Sequence, residues 1–299
     1  MLRFGVKISQ DGYEYDEILS ICQEAERLGF DSFWLADHMY CWGRKVTEAT
    51  SLEVWTTLSS LAPVTSRIRL GIMAVCQLFR SPALLAKMAS TFDNLSGARL
   101  ELGMGACGPS TPTELIGYGY DVPRRAERLA RLRETLQILK LLWTETSTSF
   151  QGKYYHLQDA INNPKPIQKP HPPIWIGGEM HDILELTAEF ANGWNCRRLG
   201  LEELDKKLDE LKALCSQKGR DFKTISKSWQ GQILVADRST ETLEKKETSD
   251  IIGGTPDQCI NDIQQYADRG IDYFLLRFQG DKSLTPLQTF AEKVMPAVR

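Results

Sequence analysis

Apolar residues along this chain recur in two alternating rhythms, and the alternation predicts the architecture. Short apolar runs at residues 2–8, 32–36, 68–75 and 100–104 have the length and the β-branched or aromatic content of buried strands. Between them lie longer stretches with helical spacing. Residues 14–28 put Ile18, Leu19, Ile21, Cys22, Ala25 and Leu28 on one face and stop at Gly29. Residues 52–62 form the next helix, and residues 82–95 another, opened by Pro82 in its first turn. Over residues 126–143, Leu129, Leu132, Leu136, Leu139 and Leu142 repeat at helical intervals, the strongest such signal in the chain.

Residues 146–173 break the rhythm with Gln151-Gly152-Lys153-Tyr154-Tyr155 and with Pro164, Pro166, Pro170, Pro172 and Pro173. This stretch reads as an inserted excursion of the kind that forms part of a lid. The alternation then resumes, with strands at 174–176, 193–196, 226–235 and 271–278 and helices at 182–190, 201–218, 256–268 and 286–294. Thr255 is the N-cap of the helix that Pro256 opens, and an irregular charged stretch separates it from the strand at 226–235. Strand-helix units in this order predict an α/β fold, a (β/α)8 TIM barrel forming one domain over residues 1–299 with its insertion after the fourth unit. A doubly wound sheet is the alternative. It is disfavoured because no G-x-G-x-x-G follows the first strand, and Gly103-Met104-Gly105 is too short a match.

Composition narrows the function classes. The chain has 299 residues, 42% of them hydrophobic, which is enough to bury a large core. A formal net charge of -3 and the lack of any basic run argue against a nucleic-acid partner. The seven cysteines are odd in number and include no C-x-x-C pair, which fits a reducing cytoplasm and no structural metal. Cys76 and Cys107 read as small packing residues near a cavity, since nothing in sequence supplies them with an activating base. Residues 1–8 are too short and too interrupted by charge for a signal peptide, and no apolar run approaches spanning length, so a cytoplasmic protein without a membrane partner is expected.

A TIM barrel collects its chemistry at the carboxyl ends of its strands. Here that face would gather Ser9 and Gln10, then Asp37, His38 and Trp42, then Cys76, Cys107, Gly177-Gly178, Arg197-Arg198 and Arg277. Asp37-His38 carries the most information, because imidazole titrates near neutrality and an adjacent acid can orient it. A surface turn would explain the same dipeptide. Gly177-Gly178, just before a helix, would let backbone amides approach a phosphate, and an ordinary strand-to-helix turn is the competing explanation. Gly253-Gly254-Thr255-Pro256 repeats the arrangement. Arg197, Arg198 and Arg277 suit a carboxylate or phosphate through their planar guanidinium groups, and pairing with Glu202, Glu203 or Asp281 competes for each. His156, His171 and His181 fall in the insertion or at turns, where solvated side chains are the rule.

The chain resembles the luciferase-like monooxygenase superfamily, and in particular its branch of oxidoreductases that use the deazaflavin coenzyme F420. The resemblance runs nearly end to end. It is carried by Phe33-Trp34-Leu35-Ala36-Asp37-His38, Leu52-Glu53-Val54-Trp55-Thr56-Thr57-Leu58, Ser66-Arg67-Ile68-Arg69-Leu70-Gly71 and Phe79-Arg80-Ser81-Pro82. Asp93-Asn94-Leu95-Ser96, Leu102-Gly103-Met104-Gly105, Pro173-Ile174-Trp175-Ile176-Gly177-Gly178 and Gly254-Thr255-Pro256 continue it in order.

The resemblance implies a barrel that is usually a homodimer, with a flavin-type ring in its mouth and a non-prolyl cis peptide behind the ring at Met73-Ala74. It also implies hydride transfer between F420 and a small organic substrate, alcohol to carbonyl, an activated C=C or C=N, or the reverse. His38 would be the acid or base, with Asp37 fixing its tautomer and Trp42 facing the substrate. Asp37, Met73, Ala74, Cys107, Gly177 and Gly178 would hold the cofactor, Arg197 or Arg198 its acidic tail, and Arg277 the substrate. One departure stands out. The family's sugar-phosphate dehydrogenases carry a glutamate after the fourth strand where this chain reads Ala106-Cys107-Gly108-Pro109, which argues against a sugar phosphate. An FMN-dependent two-component monooxygenase is the alternative, and a flavin-binding protein without turnover a more distant one.

Overall fold

The computed structural model describes residues 1–40, 49–108, 111–236, 251–278 and 283–299. The chain runs β1 (Arg3–Lys7), α1 (Tyr15–Arg27), β2 (Ser32–Leu35), α2 (Val54–Leu61), β3 (Arg69–Cys76), α3 (Pro82–Leu95) and β4 (Leu100–Gly105). A short α4 (Thr111–Gly117) and a long α5 (Arg125–Thr144) follow, then a hairpin of β5 (Thr148–Gln151) and β6 (His156–Ala160). The second half runs β7 (Ile174–Gly177), α6 (His181–Phe190), β8 (Gly193–Arg197), α7 (Leu201–Gln217), β9 (Ser226–Val235), β10 (Ile251–Gly254), α8 (Pro256–Asp268), β11 (Tyr273–Phe278), α9 (Thr285–Lys293) and α10 (Met295–Val298).

Eight parallel strands in the order β11, β1, β2, β3, β4, β7, β8, β9 close on themselves through the β9–β11 pairing, so the fold is a TIM barrel. Closure leaves no open edge among these eight strands. β10 lies outside the ring, paired parallel to the end of β9.

Local chemistry explains the boundaries. Ser81 accepts from the Leu84 amide and Pro82 occupies the first turn of α3. Thr255 and Gln258 form a reciprocal capping box on α8, as Glu14 and Glu17 do on α1. α1 ends where Gly29 takes φ +84°, a left-handed conformation that glycine adopts without steric cost.

Strand alternation divides the core into two layers. Phe4, Val6, Phe33, Leu35, Leu70, Ile72, Phe274 and Leu276 point outward into the helix-covered layer. Trp34, Met73, Trp175, Tyr273 and Leu275 point inward and fill the barrel. The Trp34, Trp175 and Tyr273 rings meet edge to face, with centroids 5.4–6.4 Å apart. Trp34 Nε1 and Tyr273 Oη both donate to Ser32 Oγ at 2.5 Å, and Trp175 Nε1 donates to Glu101 Oε2 at 2.5 Å. Every polar tip of the aromatic cluster is thus satisfied inside the barrel.

The excursion at 146–173 is not a lid. Its hairpin is anchored to α5 by Glu134, which accepts from the amides of Lys153, Tyr154 and Tyr155. Its return segment runs along α3, where Asn94 Nδ2 donates to Lys165 O, and reaches the start of β4, where Gln168 Nε2 donates to Leu100 O. It therefore covers the amino end of the barrel, opposite the mouth, and the prolines stiffen that path. Among the described residues no helix is long and apolar enough to cross a membrane.

Candidate active site

The carboxyl end of β2 is where the sequence expectation is both met and corrected. Asp37 and His38 follow the strand directly, but their side chains serve different partners. Asp37 is buried, at 5% exposure. Both its oxygens take the Arg80 guanidinium, Nη1 to Oδ2 at 2.8 Å and Nη2 to Oδ1 at 3.1 Å, and Oδ2 also accepts from the Cys76 amide at 3.0 Å. Burial pushes the Asp37 carboxyl up, and the Arg80 charge and hydrogen bonds oppose that shift. Arg80 reaches on to Glu53 Oε1 at 2.7 Å, so one guanidinium ties the ends of β2 and β3 to the N-cap of α2.

His38 turns to a different acid. Its Nδ1 lies 2.6 Å from Oε1 of Glu114, a fully buried glutamate on α4. Glu114 Oε2 accepts from the Met39 amide at 3.0 Å. Where Glu114 is ionised it can only accept, and the short contact then calls for the proton on Nδ1. Glu114 therefore makes the imidazole contact expected of Asp37. Its signal in sequence is faint: a seven-residue helix containing Pro112 and ending at Gly117, in a stretch to which the sequence pattern assigns no element.

Trp42, expected to face the substrate, lies outside the described residues.

The peptide between Met73 and Ala74 in β3 is cis, as the family resemblance implied. The register of β3 with β4 shifts between Ile72 and Val75. Ala74, Gly105, Gly177 and Gly178, all partly exposed, close the mouth over β3, β4 and β7 with almost no side chain. A Cβ on Gly105 would stand 3.4 Å from Ala74 Cβ, and one on Gly177 would stand 3.6 Å from Met73 Sδ. These small residues form a shelf with almost no side chain above the aromatic plug. Trp34 and Trp175 are in the plug beneath it, at 0% and 2% exposure.

Cys76 and Cys107 are not separate packing residues. They form a disulfide, with Cα atoms 5.3 Å apart, that ties the end of β3 to the loop leading into α4. They pack with Phe79 and Leu115 beside the His38 side of the mouth. Spacing could not reveal the pair, since 31 residues separate the two.

Gly178 takes φ +128°, and its amide donates to Asn195 O at 3.1 Å while its carbonyl accepts from Trp194 Nε1. Its own N–H thus belongs to the sheet, leaving the start of α6 as the donor-rich part of that turn. Glu179 accepts from the Arg197 amide at 2.6 Å, and burial pushes its carboxyl up. Arg197 and Arg198 follow at the end of β8, both exposed, Arg198 with φ +64°. Arg277 stands exposed near the end of β11. Sequence reading passed over Lys7, buried at the end of β1.

The chain matches the luciferase-like monooxygenase family over residues 1–252 and belongs to it. The F420-dependent glucose-6-phosphate dehydrogenase of Amycolatopsis mediterranei (strain U-32) is 25% identical, the match covering 100% of this chain and 99% of that one. Among solved structures, an F420-dependent secondary alcohol dehydrogenase in complex with an F420-acetone adduct superposes with a TM-score of 0.86 at 19% identity, covering 100% and 99% of the two chains. A riboflavin lyase with modified FMN and substrate riboflavin gives 0.87 at 14% identity, covering 100% and 91%.

Proposed function

We propose that the protein is an F420-dependent oxidoreductase that moves a hydride between the deazaflavin ring and a small organic substrate, alcohol to carbonyl or an activated C=C or C=N. The observation that carries this reading is the buried Glu114 holding His38 at the mouth, next to a shelf of Ala74, Gly105 and Gly177. F420, when bound, supplies the hydride donor or acceptor; everything else is asked of this chain's residues.

The Met73-Ala74 peptide and Gly105 would back the ring, with Gly177, Gly178 and the first turn of α6 on the phosphate side and Cys107 at the shelf's border. Arg197 and Arg198 would meet the acidic tail, since guanidinium groups pair bidentately with carboxylates. In the oxidative direction His38 Nε2 takes the hydroxyl proton as the carbon gives up its hydride. In the reductive direction it returns that proton to the oxygen. Glu114 stabilises the imidazolium formed in between, and Asp37 keeps β2 and β3 in place through Arg80. Trp42 and Arg277 would face the substrate.

We further propose a cytoplasmic homodimer. Leu84 and Leu95 lie on one face of α3, at 52% and 67% exposure, with Ile161 close by through the Asn162 contact to Ser90. A second copy would cover that apolar face.

Titrating the purified protein with F420 and with FMN at matched ionic strength tests the cofactor assignment, with fluorescence of the Trp34–Trp175 plug as the readout. Tighter F420 binding is expected. Tighter FMN binding, with oxygen-dependent turnover when reduced FMN is supplied, would make the protein a two-component monooxygenase, the chemistry the shared shelf also suits. Tight binding of either cofactor without turnover across a substrate panel would leave a flavin-binding protein.

A further inference from the structure

Cys76 and Cys107 are placed so that the bond between them bears on His38. Cys76 ends β3, and its amide donates to Asp37 Oδ2 at 3.0 Å, which fixes it to the buried Asp37–Arg80 pair. Cys107 belongs to the loop between β4 and α4. The disulfide is therefore a covalent tie from the barrel wall to the lead-in of α4.

A helix as short as α4 needs such a tie, because seven residues are too few to hold a helix by themselves. Leu115, fully buried, packs with Cys76, Phe79 and Cys107. The residue before it is Glu114, which contacts His38 Nδ1 and accepts from the Met39 amide. Cys107 has φ +60°, a left-handed conformation that a residue with a Cβ keeps only where its surroundings enforce it. Opening the bond removes that enforcement at the head of the segment that carries Glu114.

The reduced pair has a partner waiting. Gln77, 1% exposed, is oriented by its Nε2 donating to Arg128 O at 3.0 Å, and its Oε1 stands 3.5 Å from Cys107 Sγ. A disulfide sulfur has no proton to give, whereas a thiol does, so Gln77 can accept from Cys107 only in the reduced form. Cys22, Cys196, Cys215 and Cys259 are buried free thiols, so among the described residues the one disulfide lies at the mouth. In a cytoplasmic protein, as proposed above, a disulfide is as a rule transient, catalytic or redox-sensing.

We infer that Cys76 and Cys107 form a reversible thiol–disulfide exchange site that sets the hold of Glu114 on His38, firm when the pair is oxidised and loose when it is reduced. A dithiol reductant opens it. One thiolate of the dithiol attacks a sulfur of the pair, making a mixed disulfide and releasing the other cysteine, and the second thiol then displaces the first cysteine. The two electrons and two protons that the pair gains come from the dithiol, which leaves as its own disulfide. The effect on turnover rests on the hydride-transfer reading; the exchange and its effect on α4 do not.

Dithiothreitol serves as the reductant and glutathione disulfide as the oxidant. Native protein, with and without F420, would be treated with each, quenched, alkylated and peptide-mapped by mass. The Cys76 and Cys107 peptides should be linked after oxidation and separate after reduction, with no denaturant needed to open them. Hydrogen exchange of the Met39 amide and of α4 should quicken by about tenfold on reduction, as local opening becomes easier, while the β5–β6 hairpin keeps its rates. kcat should fall by roughly fivefold or more with an altered pH–rate profile, because a positioned acid-base group has lost its orientation, and should recover on reoxidation. Cys107→Ser and Cys76→Ser should each behave as the reduced wild type does and ignore both reagents.

Peptides that are never linked, or a bond that opens only in denaturant, would overturn the inference. So would exchange at Met39 and α4 that is the same in both forms, turnover that ignores the state of the bond, or a serine variant that still responds to the reagents. Should one serine variant fail to fold, the other and the wild-type exchange rates decide. Absence of F420-dependent turnover in every form would instead remove the hydride-transfer reading, and the peptide map and exchange rates would still be readable.

Discussion

Glu114 holds Nδ1 of His38 at 2.6 Å, while Asp37, the residue bonded to His38 in the chain, turns away from it to Arg80. The imidazole is therefore oriented from α4, an element 76 residues further on. His38→Ala should lower turnover by roughly 100-fold or more, with F420 affinity nearly unchanged, because a positioned acid-base group contributes about that much. Glu114→Gln is the sharper test of positioning. Either end of a neutral amide can face Nδ1, so the tautomer is no longer fixed and the imidazolium loses its carboxylate. The expected outcome is a drop in kcat of at least about tenfold and a shifted pH–rate profile, with substrate KM changing less. A Glu114→Gln enzyme with the wild-type pH profile would remove Glu114 from the mechanism.

Asp37 has the stronger structural case. Its side chain and that of Arg80 are 2% and 9% exposed, and the pair is bidentate. Removing one partner of such a buried pair costs about 3–5 kcal/mol, because the other charge is left behind. Asp37→Ala should therefore lower the urea midpoint markedly, while Glu53, 39% exposed, should contribute far less when replaced by Gln. Equal loss in the two variants would contradict this ranking.

Elements written in local patterns were legible in the sequence. Pro82–Leu95, Ser226–Val235 and Pro256–Asp268 carry caps, prolines and periodicity within themselves, and the expected boundaries match. What was hidden depends on partners far along the chain. Nothing near Asp37 announces Arg80, 43 residues away, and nothing near His38 announces Glu114. The Cys76–Cys107 bond is of the same kind, formed when β3 and the end of β4 come side by side. α4 and β10 were missed because each is too short to establish a period. Lys7 was overlooked because a lysine in a strand ordinarily reads as a solvated residue; only the closed barrel turns it inward.

The glycine pair separates two effects that substitution would otherwise confuse. Gly177 ends β7 with room for a Cβ 3.6 Å from Met73 Sδ, so Gly177→Val should fold, with a melting temperature within a few degrees, and should weaken F420 binding by about tenfold by raising the shelf. Gly178 sits at φ +128°, and its Cβ would come within 3.3 Å of Ile183. Gly178→Val should cost about 1–3 kcal/mol of stability whatever it does to the cofactor. A Gly177→Val protein that keeps wild-type F420 affinity would detach the shelf from cofactor binding.

Lys7 makes a prediction about stability that needs no ligand. Burial, then the Arg277 and Arg197 charges, hold its amine at about 7 in the folded protein, with Asp11 opposing, against an ordinary value of 10.5 in the unfolded chain. Between those values the unfolded state binds the proton and the folded state does not, so this group makes stability rise with pH from about 7 towards 10.5. Below pH 7 both states are protonated, and the folded protein bears the full cost of a buried ammonium among arginines. Lys7→Met keeps the stem's apolar packing and removes that charge. The variant should therefore be more stable than the wild type at pH 6, by a margin on the order of a few kcal/mol, and the margin should shrink steadily as the pH is raised towards 10. Thermal unfolding of the two proteins across that range measures it. A margin that is absent at pH 6, or that grows with pH, would mean that the fold does not depress the Lys7 amine.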